Sequence, residues 1–564
     1  MLPASRPARV LIAAIVAALL YLPALGSAPL WEPDEGRYAE IPREMLVSGD
    51  FVTPRNNYVR YFEKPPLVYW MTAASMAVLG QNEFAARLPA ALASIGQVII
   101  VALLAESMLG ATAGFIAALA LATFPVFIGF ARFATLDPPL AFFVTAGIAA
   151  FYAAARTGDF RCTPGRNWFI ASAAMLALGT LAKGPVALVL GGGIALVSLI
   201  RERRTAEIRS LPWIPAVAVY LAIAAPWFVL VATRNPGFLE FFFVREHLLR
   251  YSEFREHARP LWFFVPILIG GAWPWTFFAP LGYWALRSDS EHACASRFLV
   301  VWFLFVLIFF SLPQSKLGGY VLPALPPLAI VCGYGVTRLA SLAADAARRL
   351  LLWFGAINLA AAAVTLVVLI VMRSRISADA LMSAALIILA PPVGAALACA
   401  LWRLTSTALS IAAAIVIAVA IGVVGAEGIR ADVASTNSYR NLCAAIRSRL
   451  QPNCTLASYR HFVQSLPFYT RTRTAIVAHR GELKPWSHTP DARASFIRDG
   501  AELAQLWSSG RCVILVANRK ELPLVLPLLD PKPAVVGCEG KKYALSNRPA
   551  DAAAAPARCD LPAS

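Results

Sequence analysis

Charge is scarce in this chain. Only 15% of its 564 residues are Asp, Glu, Lys or Arg, where a soluble protein carries roughly 25%. That excludes an ordinary hydrated surface around one large soluble core. Acids are scarcer than bases, 32 against 50, for a formal charge of +18. No zinc-finger or RNA-binding signature accompanies the basic excess, so nucleic acid is not expected as a partner. Positive-inside retention and anionic lipid headgroups account for it instead. Histidine is rare, with six in the chain, and no Cys/His spacing matches a structural zinc site. No clear internal repeat is seen, which speaks against a secondary transporter or flippase.

What is present is apolar. The chain is 59% hydrophobic with a mean hydropathy of +0.64. Runs long enough to cross a hydrocarbon core of roughly 30 Å recur along it, at about 10–28, 89–108, 111–130, 137–155, 167–182, 184–200, 211–232, 261–284, 297–312, 320–340, 350–371, 380–402 and 407–426. The expected class is an α-helical polytopic membrane protein with about 13 transmembrane helices. The first run follows Arg6 and Arg9 like a signal peptide, but the many later spans make it an uncleaved first span. Pro65–Gly80 is short, opens with two prolines, and fits an interfacial helix.

Loop charge then sets orientation. If Pro65–Gly80 does not cross and the N-terminus is cytoplasmic, Arg156, Arg161, Arg166, Arg201, Arg203, Arg204, Arg209, Arg287, Arg297, Arg348, Arg349 and Arg403 all fall inside. The same choice puts every loop of mixed polar character outside: 30–64, 133–138, 183–184, 235–260 and 314–320. Residues 1–429 form the expected membrane domain, with outer loop and interfacial helices at about 29–88. Residues 430–564 lack a spanning run and alternate helical stretches with short β-rich ones, a small α/β domain. Its Ala/Pro-rich end from Pro549 is expected to be a disordered tail. Five cysteines lie in this domain (Cys443, Cys454, Cys512, Cys538, Cys559), so an oxidising compartment permits disulfides and leaves at least one thiol free.

The chemistry concentrates in the outer loops. The first holds Glu32, Asp34, Glu35, Glu40, Glu44, Asp50 and Glu63 beside Arg37, Arg43, Arg55, Arg60 and Lys64, interleaved with Trp31, Tyr38, Tyr58, Tyr61 and Trp70. Scattered solvated charge is the bland explanation; carboxylates at a membrane boundary are costly unless paired or used. Asp137 precedes Pro138–Pro139 and is either a helix N-cap or a second carboxylate facing the first loop. Lys183, Lys316, Arg245 and Arg250 either snorkel or bind phosphate. His247 and His257, with Glu63 or Asp34, could complete a site for a divalent cation, zinc or magnesium.

These residues fall in ordered blocks: PDEGRYAEIPREMLVSGD, YFEKPPLVYW, NEFAARLPA, LDPPLAFF, LAKGPVAL, REHLLRY and SKLGGYVLPALPP. To about residue 330 the chain resembles the bacterial 4-amino-4-deoxy-L-arabinose lipid A transferases. These group with the protein O-mannosyltransferases in the C-type (GT-C) membrane glycosyltransferases. The resemblance implies a GT-C fold with a periplasmic C-terminal domain. It implies inverting transfer of aminoarabinose from undecaprenyl phosphate to a lipid A phosphate at the periplasmic face of the inner membrane, a lipopolysaccharide change that gives cationic-peptide resistance. By the same resemblance Asp34 and Asp137 are the two acids. Lys64 and Lys183 match the EKPP and KGP lysines; apart from the resemblance, Arg37, Arg55, Tyr38, Tyr61, Arg245, Arg250, Lys316 and Tyr320 are the further expected substrate- and phosphate-binding residues. DE stands where a metal-binding DxD would be, so a strict metal requirement is not implied. A monomer is expected, surrounded by membrane lipid. Transfer of another polyprenyl-phosphate sugar to protein or glycan is the alternative within the class.

Overall fold

The computed structural model describes residues 5–160, 162–249, 258–372, 378–548, 559 and 561. Each of the thirteen apolar runs forms a helix or a bent helix pair. Eight helices are long and apolar enough to cross a membrane, or up to 10 if each of two bent pairs is one span, among the described residues. The expected thirteen is therefore not reached on length and composition alone. The difference lies in α1 (Arg6–Tyr21) and α9 (Val186–Arg201), with 16 residues each, and in α8 (Thr163–Lys183). The expected tail at 549–558 lies outside the described residues.

The chain divides into two compact units, Met1–Leu25 with Arg87–Ile429, and Gly26–Ala86 with Arg430–Ser564. The first is the membrane unit. Apolar side chains such as Leu19, Ile214, Val371 and Leu404 stand exposed on it, a surface suited to lipid. Close helix approach inside it relies on small residues: Ser172 on α8 donates to the Gly147 carbonyl of α7 (Asp137–Arg156) at 2.7 Å. The charges at the ends of α7, Asp137 first and Arg156 last, suit the helix dipole.

One bent pair, α5 (Ala111–Ala122) and α6 (Pro125–Ala131), turns by 62° at Pro125. Backbone groups freed at such a break need partners in an apolar interior. Tyr21 donates to the Ala122 carbonyl at 2.8 Å, and the Thr123 hydroxyl donates to Leu119 while accepting from Trp275. Just beyond, buried Arg132 donates to the carbonyls of Leu20, Tyr21 and Pro23 at the end of α1 and pairs with Glu427 at 2.8 Å.

The second unit joins residues 26–86 to the C-terminal segment, a partition that hydropathy does not give. Its sheet has six strands, in the spatial order Phe496–Ile497, Thr474–Val477, Thr455–Tyr459, Val513–Asn518, Lys542–Ser546 and Ala534–Glu539. Strands β3 (Thr455–Tyr459), β4 (Thr474–Val477), β5 (Phe496–Ile497) and β6 (Val513–Asn518) pair parallel, and the hairpin β7 (Ala534–Glu539) with β8 (Lys542–Ser546) adds antiparallel strands. Disulfides Cys454–Cys512 and Cys538–Cys559 tie this unit, and Cys443 is buried and free.

The first-loop segment docks on this sheet through polar side chains. A hairpin of β1 (Arg55–Asn56) and β2 (Val59–Arg60) turns at Asn57 and Tyr58, both with positive φ. Asn57 exchanges hydrogen bonds with the backbone of Thr474 at 2.7 and 2.8 Å. Glu32 accepts from the backbone N–H groups of Gln464 and Ser465. On α2 (Asp34–Ser48), Gly36 faces Ser465 so closely that a Cβ there would lie 2.6 Å from its nitrogen. Helix α3 (Leu67–Leu79) has 13 residues, about 20 Å of rise against a core of roughly 30 Å.

Candidate active site

In the second unit, the first turn of α2 presents Asp34, Arg37 and Tyr38. Arg37 forks onto Glu482, with its Nε at 3.0 Å from Oε1 and an Nη at 2.8 Å from Oε2. Its other Nη reaches Asp34 at 3.4 Å. The guanidinium also lies 5.5 Å from the Tyr38 ring and 6.0 Å from that of Tyr61. Burial works against its charge, but Tyr61, Glu482, Tyr38 and Glu63 around it raise its pKa well above the ordinary value. Burial pushes the Glu482 carboxyl up to about 7, with Arg37 opposing and Glu63 adding to the rise. Asp34 is half exposed, and the buried hydroxyls of Tyr61 and Tyr69 have no hydrogen-bond partner among the described residues. Orphaned hydroxyls beside a fixed cation suit a polar ligand.

In the membrane unit a second cluster forms where α7 begins and α8 ends. Lys183 donates to Asp137 at 2.5 Å, and both side chains are about one-seventh exposed, 13% and 14%. The Lys183 ammonium sits 5.0 Å from the Tyr320 ring, which packs on Phe310. Gly319 lies against the carboxyl, since a Cβ there would come within 2.6 Å of the Asp137 Cγ. Gly184 ends α8 with φ +105°, a conformation that suits glycine, and so holds Lys183 at the corner. An ammonium carries three donors; among the described residues Asp137 takes one.

Other expected residues are placed less suggestively. Arg55 is engaged by Asp50 at 2.8 Å, which also accepts from the backbone of Val52 and Thr53, so its immediate role is to hold the turn into the hairpin. Lys64 donates to the Glu63 carbonyl. Lys316 is buried and donates to the carbonyls of Arg259 and Pro313. Arg245 is exposed on a π-helical segment, Glu240–Leu249. Arg250, His257 and the His247 side chain lie outside the described residues. Among the described residues, Asp289, Glu291 and His292 have metal-ligand geometry, and there His292 already bonds Asp289 at 3.0 Å. Sequence reasoning missed Glu482, Arg132 and the Tyr69 hydroxyl; a lone acid 445 positions from Arg37 carries no spacing signal.

Two family models match the chain. Residues 8–242 match the dolichyl-phosphate-mannose-protein mannosyltransferases, and residues 442–525 match the aminoarabinose transferase C-terminal domain. An undecaprenyl phosphate-alpha-4-amino-4-deoxy-L-arabinose arabinosyl transferase 2 of Pseudomonas fluorescens is 37% identical over 320 residues, 56% of this chain and 54% of the relative. The corresponding transferase of Pseudomonas paraeruginosa is 36% identical over 324 residues, 57% and 58% of the two chains. The chain thus spans a little over half the length of the curated relatives it matches. A crystal structure of ArnT from Cupriavidus metallidurans bound to undecaprenyl phosphate superposes with TM-score 0.86 at 28% identity, covering 96% of this chain and 99% of that one. Its apo form gives 0.84. With both matched segments and a fold shared along nearly the whole chain, this multi-pass membrane protein is similar to the bacterial aminoarabinose transferases and has the fold of the Cupriavidus metallidurans structure.

Proposed function

We propose that the chain is an inverting glycosyltransferase that moves 4-amino-4-deoxy-L-arabinose from undecaprenyl phosphate to lipid A phosphate, on the periplasmic side of the bacterial inner membrane. The observation that carries this reading is the Lys183 ammonium, pinned by Asp137 over Tyr320 with donors to spare. In the reaction, an acceptor phosphate oxygen bonds to the anomeric carbon as that carbon's bond to the lipid phosphate breaks, and the electron pair leaves on the lipid phosphate. Such a leaving group needs cations rather than a general acid, and Lys183 is a fixed cation of that kind. An ionised acceptor phosphate needs no strong base. Asp137 then orients Lys183, and Asp34 orients Arg37 in its own unit.

A divalent cation is assigned no step. At either acid it would first displace Arg37 or Lys183.

The match to protein mannosyltransferases supports one further reading, transfer to a protein hydroxyl. Reconstituted protein given the lipid-linked sugar, lipid A and an acceptor protein separates the two. Mass spectrometry should find the sugar on lipid A, and the reading is wrong if only the protein is modified. Asp34→Asn should abolish transfer in a folded protein, and Lys64→Ala should raise the apparent KM for the lipid donor.

A further inference from the structure

The far end of the membrane unit carries a second constellation that the transfer reaction does not use. Helix α7 has 20 residues from Asp137 to Arg156, so its ends are about 30 Å apart. At the Arg156 end lies a cavity of about 650 Å³ whose lining includes Arg156, Arg201, Arg204 and Arg297. Two carboxylates also line it, Glu202 and Glu291, with His292 beside them, which leaves an excess of two positive charges. Glu202 holds Arg297 at 2.5 and 2.7 Å, and Arg204 is held by Glu207 and the Ala155 carbonyl. Arg201 is exposed, and its side chain, near Glu202, makes no hydrogen bond among the described residues. Its donors are available.

Phe151 and Leu199 form a wall shared with a second cavity, of about 410 Å³. That one is lined almost wholly by apolar groups, among them Phe169, Leu176, Leu188, Leu196 and Trp213. Leu188, Leu196 and Trp213 are themselves about half exposed, so the groove opens on the apolar surface of the unit. A charged chamber beside an apolar groove matches a molecule with an anionic head and a hydrocarbon tail. Basic pockets between spanning helices bind such headgroups, and 650 Å³ lies within the usual range for ligand sites.

We propose that this basic end binds an anionic phospholipid, its phosphate among Arg156, Arg201, Arg204 and Arg297 and one acyl chain in the groove beyond Phe151 and Leu199. The loop-charge pattern assigns this end to the cytoplasmic leaflet, so the site is separate from the one proposed for transfer.

The shared chemistry is a phosphate, from lipid or from solution, and the test distinguishes the two. Full-length protein in detergent is mixed with phosphatidylglycerol, phosphatidylcholine or inorganic phosphate, and retained adducts are read by native mass spectrometry. Phosphatidylglycerol should be retained in preference to phosphatidylcholine. Arg201→Ala, which removes a side chain with no hydrogen-bond partner among the described residues, should weaken phosphatidylglycerol retention about five-fold, the effect of one basic residue at an anionic headgroup. Gly192 lines the groove, and a Cβ there meets nothing within 4 Å. Gly192→Leu should therefore fill the groove and reduce lipid retention without changing phosphate binding. Equal retention of the two lipids would overturn the proposal, as would an Arg201→Ala protein that keeps full retention. Phosphatidylglycerol binding that survives Gly192→Leu but is displaced by inorganic phosphate would assign the site to a soluble anion instead.

Discussion

The Asp137–Lys183 pair can be dissected by a double-mutant cycle. Both groups are mostly buried, 2.5 Å apart, where α7 begins and α8 ends. Removing one partner of such a pair strands the other charge and costs on the order of 3–5 kcal/mol, whereas replacing both is close to neutral. Asp137→Asn and Lys183→Met should each lower the thermal midpoint in detergent, and the double variant should regain most of the loss. Activity is predicted to behave differently. If Lys183 serves the leaving phosphate, the double variant stays impaired even though its stability returns. A lost charge-assisted contact is worth roughly 1.5–3 kcal/mol, or about 10- to 150-fold in kcat/KM. The assays are differential scanning fluorimetry and transfer kinetics on the same four proteins. A double variant that recovers transfer along with stability would refute the phosphate role and leave the pair as a structural clamp.

Three further outcomes follow from the second unit. Because the Glu482 carboxyl is raised to about 7 in the fold and lies near 4.3 unfolded, the folded state binds more protons between these values. The Glu482 contribution to stability is thus fully present below about pH 4.3 and is lost as pH rises through 7; Glu482→Gln should flatten the slope of pH-dependent melting between these values, and an unchanged slope would contradict it. Gly36→Ala places a Cβ 2.6 Å from the Ser465 nitrogen, so melting should show a loss of about 1–3 kcal/mol, and an unaffected midpoint would show that α2 yields there. Alkylation before and after reduction should expose four additional thiols, those of Cys454, Cys512, Cys538 and Cys559. Losing the Cys454–Cys512 bridge, with its separation of 58 residues, should cost about 4 kcal/mol.

Much of this architecture was legible because its signals are local. A run of some 20 apolar residues is its own evidence for a helix, and each such run is helical here. The strands Thr455–Tyr459, Thr474–Val477 and Val513–Asn518 announce themselves by β-branched and apolar content. The short β5 and the hairpin Ala534–Ser546, diluted by Gly537, Gly540 and two lysines, do not. Asp137 and Lys183 each stood out as a charge in an apolar setting. Their union, across 46 positions, needed the antiparallel packing of α7 on α8. Nothing in the acidic first loop shows that it docks on a domain more than 400 residues later, because that docking is made by single polar contacts such as Glu32 to Ser465 and Asn56 to Gln464. Polar docking has no period in the sequence.

The most direct test is stoichiometric. Reconstituted protein is supplied with the undecaprenyl phosphate-linked aminoarabinose and lipid A, and both products are quantified by mass spectrometry. One undecaprenyl phosphate should be released for each aminoarabinose found on a lipid A phosphate, with both products formed about 10- to 150-fold less efficiently by Lys183→Ala. Donor consumed while lipid A stays unmodified would contradict it.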